Sequence, residues 1–145
     1  MKKTILLLVL GLAAGLARPA AAEVRLGLGA DWVVEEAAGI FELTLAVDTP
    51  VARKLTVGGR FGVALLAPGV GLGVPIDLNL RVKFGRSRVY LEGLIGPWIF
   101  FDGGDTLRFH GAIGFGLRKK AFEIGLEVGV LNRSPLLGLR LAWVI

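Results

Sequence analysis

Phe122-Glu123-Ile124-Gly125-Leu126-Glu127-Val128-Gly129-Val130 sets an apolar residue at every even position and a carboxylate or glycine at every odd one. A helix turns about 100° per residue and would scatter those apolar side chains around its circumference. A β-strand sends successive side chains to opposite faces, so the same residues gather on one wall. The reading is a strand with an oily face and a face of charge and glycine. Leu107–Arg118, Ile76–Phe84 and Phe41–Asp48 repeat the scheme, and weaker copies lie at Val24–Trp32, Lys54–Leu66, Arg88–Ile99 and Leu136–Ile145. Eight strands are expected, with no linker or low-complexity tract to divide them into two domains.

The segments between them carry turn residues: Glu35–Gly39, Asp48-Thr49-Pro50, Ala67-Pro68-Gly69, Gly85-Arg86-Ser87, Asp102–Asp105, Arg118-Lys119-Lys120 and Asn132–Pro135. Composition agrees with an all-β chain. Of 145 residues 22 are glycine, which weakens helix interiors by about 1 kcal/mol each relative to alanine. Cysteine is absent, which removes disulfide frameworks, thiolate metal sites and cysteine nucleophiles. The longest uncharged stretch, Phe61–Ile76, holds two prolines and falls short of a membrane-spanning helix.

The chain is 54% hydrophobic, only 20% charged, with a mean hydropathy of +0.68. A water-soluble barrel or sandwich packs its apolar face inward and covers its outer face with charge. Here the polar face is too sparse for that. It offers Arg25, Glu42, Arg60, Asp77, Arg81, Glu92, Arg108, His110, Glu123, Glu127 and Arg140, diluted by glycines. The opposite orientation fits better: large apolar side chains toward lipid, charges and glycines filling a narrow lumen. The expected fold is an all-β, eight-stranded, antiparallel, up-and-down transmembrane barrel.

Hairpin register sharpens this. A two-residue turn at Arg86-Ser87 sets Arg81 opposite Glu92; a five-residue turn at Thr49–Arg53 sets Glu42 opposite Arg60 and Asp48 opposite Lys54. A two-residue turn at Lys119-Lys120 and a four-residue turn at Asn132–Pro135 set Glu127 opposite Arg140. The expectation is a lumen plugged by these ion pairs, with Arg25, Asp77, Arg108, His110 and Glu123 as further lumen polar groups. Trp32, Phe41, Phe61, Phe84, Phe101, Phe109, Phe122 and Trp143 share the outward parity, as interfacial girdles or plain lipid-facing bulk.

Ahead of the first strand, Met1–Thr4 is basic, Ile5–Leu16 is apolar, and Ala20 and Ala22 form a small-x-small cleavage pattern. This is the layout of a secretory signal peptide over residues 1–22, for Sec export, leaving Glu23–Ile145 as the barrel. Removing Lys2, Lys3 and Arg18 leaves that part with 14 basic and 12 acidic residues, so no nucleic-acid partner is inferred.

An export signal followed by eight alternating strands resembles the small OmpA/OmpX-type outer-membrane β-barrels of diderm bacteria, as a pattern over Glu23–Ile145. The resemblance implies an outer-membrane location, contact with the lipid bilayer and lipopolysaccharide, and periplasmic chaperones and the barrel-assembly machinery during biogenesis. It also implies an assembly signal in the last strand, whose glycine and apolar positions are Gly138, Leu141 and Trp143. The polar position is Leu136, and the terminus is Ile145 in place of phenylalanine. With both ends periplasmic, the periplasmic turns are basic and the outer loops acidic and short.

No cofactor is expected, and catalysis is not. His110 is the only histidine, too little for a metal site; Ser87 and Ser134 lie in turns, away from any base. Glu123 and Glu127 are four strand residues apart, about 13 Å, too far for a paired acid and base. Gly69–Gly73 precedes no helix and reads as a loop. A structural or interaction role with a plugged lumen is the first functional expectation. A narrow porin-like channel and a soluble, lipocalin-like binder of an apolar ligand are the alternatives.

Overall fold

A computed structural model describes residues 22–69, 71–84, 88–101 and 104–145. Most of the expected signal, including Ala20, lies outside them; Ala22 is exposed and leads directly into the first strand. The strands are β1 (Glu23–Val33), β2 (Ala38–Ala52), β3 (Leu55–Ala67), β4 (Gly71–Lys83), β5 (Val89–Phe100), β6 (Leu107–Lys119), β7 (Phe122–Leu131) and β8 (Ser134–Val144). Each pairs antiparallel with the next, and β1 pairs with β8 from Arg25↔Val144 to Val33↔Leu136, which closes the barrel. Closure leaves no edge strand with unpaired backbone groups.

Burial alternates along every strand, as the period-two pattern demands. Even positions of β4 such as Leu78 (68% exposed) face outward, while Asp77 and Arg81 (1% each) are enclosed. All eight outward-parity aromatics are exposed; Phe122 and Trp143 pack together with ring centroids 5.5 Å apart. The start of β1, the end of β8 and the strand ends that flank the β2–β3, β4–β5 and β6–β7 connections lie at one end of the barrel, called here the terminal end; the opposite strand ends form the far end.

Three of the four turns used to set register differ, and Ala38-Gly39, expected in a turn, open β2. β2 continues through Pro50 to Ala52 by means of a bulge, leaving Arg53-Lys54 as the turn. Consequently Arg60 faces Ala46 and Glu42 faces Ala64; the expected Glu42–Arg60 pairing is absent, as is Asp48 opposite Lys54. The β6–β7 turn is Lys120-Ala121, with Lys120 at φ 57°, and the β7–β8 turn is Asn132-Arg133, with Asn132 at φ 55°. A left-handed first turn residue is what a two-residue hairpin turn of matching twist requires. The shifts put Glu127 opposite Gly138 and Arg118 opposite Glu123. Arg81↔Glu92 in β4–β5 is the register expected from a two-residue turn, although residues 85–87 lie outside the described set. Gly71–Gly73, expected as a loop, opens β4.

Glycines hollow the inner wall where a large side chain must cross it. A Cβ added at Gly125 would lie 2.7 Å from the Tyr90 hydroxyl, and one at Gly116 2.5 Å from it. The Tyr90 ring therefore occupies space that only glycine on β6 and β7 leaves open. Gly125→Val should destabilise the barrel by about 1–3 kcal/mol, the usual cost of overpacking. Combining it with Tyr90→Ala should recover part of that loss in a denaturation double-mutant cycle; strict additivity would contradict the packing described.

Candidate functional site

The interior is stacked in layers. At the far end, Val33, Ile40, Ala64, Trp98, Phe100, Leu131 and Leu136 form a buried apolar plug. Trp98 is 0% exposed and lies over the His110 ring at 4.4 Å. Its Nε1 donates to Asp77 at 3.1 Å, which joins the plug to the charged layer beneath it.

That central layer is built around Arg60 and Arg140. Arg60 reaches Asp77 at 2.8 Å and Glu127 at 3.0 Å; Arg140 reaches Asp31 at 2.6 Å, Glu127 at 3.1 Å and Glu42 at 3.4 Å. The two ring nitrogens of His110 face Asp77 at 2.8 Å and Glu127 at 3.3 Å. A second charged layer follows toward the terminal end. Arg25 contacts Asp48 at 2.6 Å, Glu92 at 3.1 Å and Glu123 at 3.4 Å; Arg81 contacts Glu123 at 2.8 Å and Glu92 at 3.1 Å. Asn79 Nδ2 donates to both Asp48 and Glu92, at 2.7 and 2.8 Å. Arginine suits these positions because its planar fork offers several donors at once and binds two carboxylates without bending.

Every interior residue expected from the sequence is enclosed by the wall, but several meet partners other than those expected. Glu127 and Arg140 do meet, diagonally and not as directly opposed neighbours. Glu42 joins Arg140, whereas Arg60 joins Asp77 and Glu127. Arg81 and Glu92 pair as their register requires. Arg108 stands apart from both layers at the far rim, 3.0 Å from Glu36 and 4.7 Å above the Phe100 ring. Asp31, Asn79, Tyr90 and Trp98 are members that the sequence reading missed, and Asp48, expected opposite Lys54, pairs with Arg25. Their parity carried the signal, since Asp31 continues Arg25, Gly27 and Gly29, and Tyr90 and Trp98 share the even positions of Glu92. Of the expected assembly-signal residues, Gly138 faces inward beside Asp31 and Arg140, while Leu141 and Trp143 belong to the outer face of β8.

The chemistry this interior supports is ion pairing, with carboxylates outnumbering cations in each described layer. Among the described residues no group of three or more His, Asp or Glu is arranged to hold a metal ion. A cavity beside the charged layers measures about 40 Å³, room for little more than ordered water. Among the described residues, the charged layers and the apolar plug occupy the interior one above the other.

No protein-family model matches the chain, and no curated protein matches it. Among solved structures, a de novo designed transmembrane β-barrel matches with a TM-score of 0.63 at 11% identity, covering 88% of this chain and 98% of its own. The solution NMR structure of the designed barrel TMB2.3 matches at 0.61 and 16% identity, covering 86% and 94%. Likeness of this degree establishes the fold: a closed, eight-stranded antiparallel barrel of the same build as these designs.

Proposed function

We propose that the chain is an integral outer-membrane β-barrel, of the small OmpA/OmpX type, with a structural or interaction role and a lumen closed by side chains. One observation carries this reading. The wall presents Leu78, Leu107, Ile113, Leu126 and their neighbours outward over its whole circumference, while most arginines and carboxylates of the strands are buried inside. Soluble proteins rarely expose contiguous apolar patches beyond a few hundred Å². In lipid the same surface loses nothing, and closure pairs each strand with a neighbour on both sides along most of its length. A lipocalin-like soluble binder needs the reverse orientation, with its apolar face around the cavity.

In this reading the outer wall meets phospholipid and lipopolysaccharide, the signal over residues 1–22 directs export, and β8 is presented to the barrel-assembly machinery. No catalytic role is assigned. The test is fractionation with gel mobility: the protein should sediment with outer membranes, resist alkaline extraction, and migrate faster unheated than boiled. Release by salt or alkali without detergent would overturn it. A closed lumen has its own test in planar bilayers, where reconstituted protein should give no stepwise conductance. A stable unit conductance would replace the structural reading with the channel.

A further inference from the structure

The terminal mouth of the barrel contains a feature that a plugged wall does not need. A cavity of about 280 Å³ opens there, lined by Arg81, Lys83, Arg88, Arg118 and Lys120 around Tyr90. No carboxylate lines it among the described residues. The cations differ in how far they are already neutralised. Arg81, 1% exposed, is held by Glu92 and Glu123, with its guanidinium 3.9 Å over the Tyr90 ring and its Nε without a hydrogen-bond partner. Arg118 and Lys83 share Glu23, at 2.7 and 3.8 Å. Arg88 and Lys120 have no carboxylate partner among the described residues, so the pocket retains a local excess of positive charge. Arg88 follows the β4–β5 turn and Lys120 begins the β6–β7 turn; β5–β6 pairing brings these turns together, with the Arg118 amide donating to the Arg88 carbonyl at 2.7 Å.

We propose that this mouth binds a phosphate monoester group. Two unneutralised cations match a dianion, which a phosphate monoester approaches at neutral pH and a single carboxylate does not. The forks of Arg118 and Arg88 and the point charges of Lys83 and Lys120 offer more donors than two carboxylate oxygens accept, and three phosphate oxygens use them better. The volume admits the phosphate with a small substituent. Two sources share this chemistry: a soluble phosphomonoester and the headgroup of a monoester phospholipid. The lipid source rests on the outer-membrane reading, under which the mouth lies at headgroup level; the phosphate site itself does not.

The test uses the full barrel refolded in a maltoside detergent and titrated with inorganic phosphate, followed by amide NMR shifts. Saturable shifts are expected at Tyr90, Arg118 and Lys120 and none at Asn132–Ser134, with chloride at equal ionic strength failing to reproduce them. Arg88→Gln/Lys120→Gln should weaken binding about tenfold or more, given the strength of hydrogen bonds between charged groups. Because neither side chain has a carboxylate partner among the described residues, this variant should keep its heat-modifiable mobility, which separates loss of binding from loss of fold. Shifts that only follow ionic strength, or a double variant that binds phosphate as the parent does, would overturn the site. A second arm uses phosphatidylcholine nanodiscs with and without phosphatidic acid. Shifts at the same amides on adding phosphatidic acid assign the lipid source, and their absence, with phosphate binding retained, assigns the soluble one. Failure of the barrel to enter nanodiscs would count against the membrane reading and leave the phosphate result standing.

Discussion

Arg60→Leu is expected to destabilise the folded barrel by about 3–5 kcal/mol, the cost of removing one partner from a buried ion cluster. Arg60 is buried, and its guanidinium is shared between Asp77 and Glu127. Leucine fills part of the volume but leaves two enclosed carboxylates facing one cation fewer, with His110 and Arg140 their remaining basic neighbours among the described residues. The comparison with Arg60→Lys isolates geometry from charge. Lysine restores the charge as a single point that cannot span both carboxylates, so its loss should fall between those of the parent and the leucine variant. Urea titration of refolded protein, with unheated gel mobility as the readout of closed barrel, measures both. A leucine variant as stable as the parent would mean that these contacts contribute nothing to holding the lumen.

The second large effect lies on the other side of the wall. Ile113, at the middle of β6 and 61% exposed, would sit near the bilayer midplane, whereas Leu107, 66% exposed, opens the same strand at the far rim. Ile113→Arg should cost about 2–4 kcal/mol in lipid and Leu107→Arg about 0–1, following the depth dependence of charge on a lipid-facing wall. Water would give no such gradient, since both positions are comparably exposed. Equal, small effects at the two sites, measured by folding into vesicles, would contradict a lipid-facing wall.

Strand number, facing and the separation of charge from oil were legible because a pleated strand has a period of two, and one face of each strand is nearly pure. Register was less legible, and the reasons are local. Pro50 reads as a turn residue, yet the bulge beside it lets β2 run on to Ala52, which moves Arg60 from Glu42 to Ala46. Asn132–Pro135 reads as a four-residue turn, but Asn132 adopts the left-handed conformation and a two-residue turn suffices. Partner choice was hidden more deeply. Cross-strand reasoning considers neighbours on adjacent strands, whereas Arg60 of β3 meets Glu127 of β7 across the lumen, and Arg25 of β1 meets Glu92 of β5. Closure alone creates those contacts. Long arginine side chains in a narrow bore then reach past the residue opposite, as Arg140 passes Gly125 to reach Glu127. The far-end plug was hidden for another reason: Trp98 and Phe100 are apolar residues on the polar face, where composition alone gives no cue.

Fluorescence quenching by lipids with brominated acyl chains tests most directly whether the apolar wall faces lipid and the charged face is enclosed. The three tryptophans divide between the two faces: Trp32 and Trp143 are exposed on the outer wall, and Trp98 is fully buried within. Parent protein in brominated bilayers should lose a large part of its emission relative to ordinary lipid. Trp32→Phe/Trp143→Phe, which retains only the internal Trp98, should be nearly indifferent to bromine and to aqueous iodide alike. Strong bromine quenching of Trp98, or quenching of Trp32 and Trp143 by iodide and not by bromine, would contradict the orientation on which the outer-membrane reading stands.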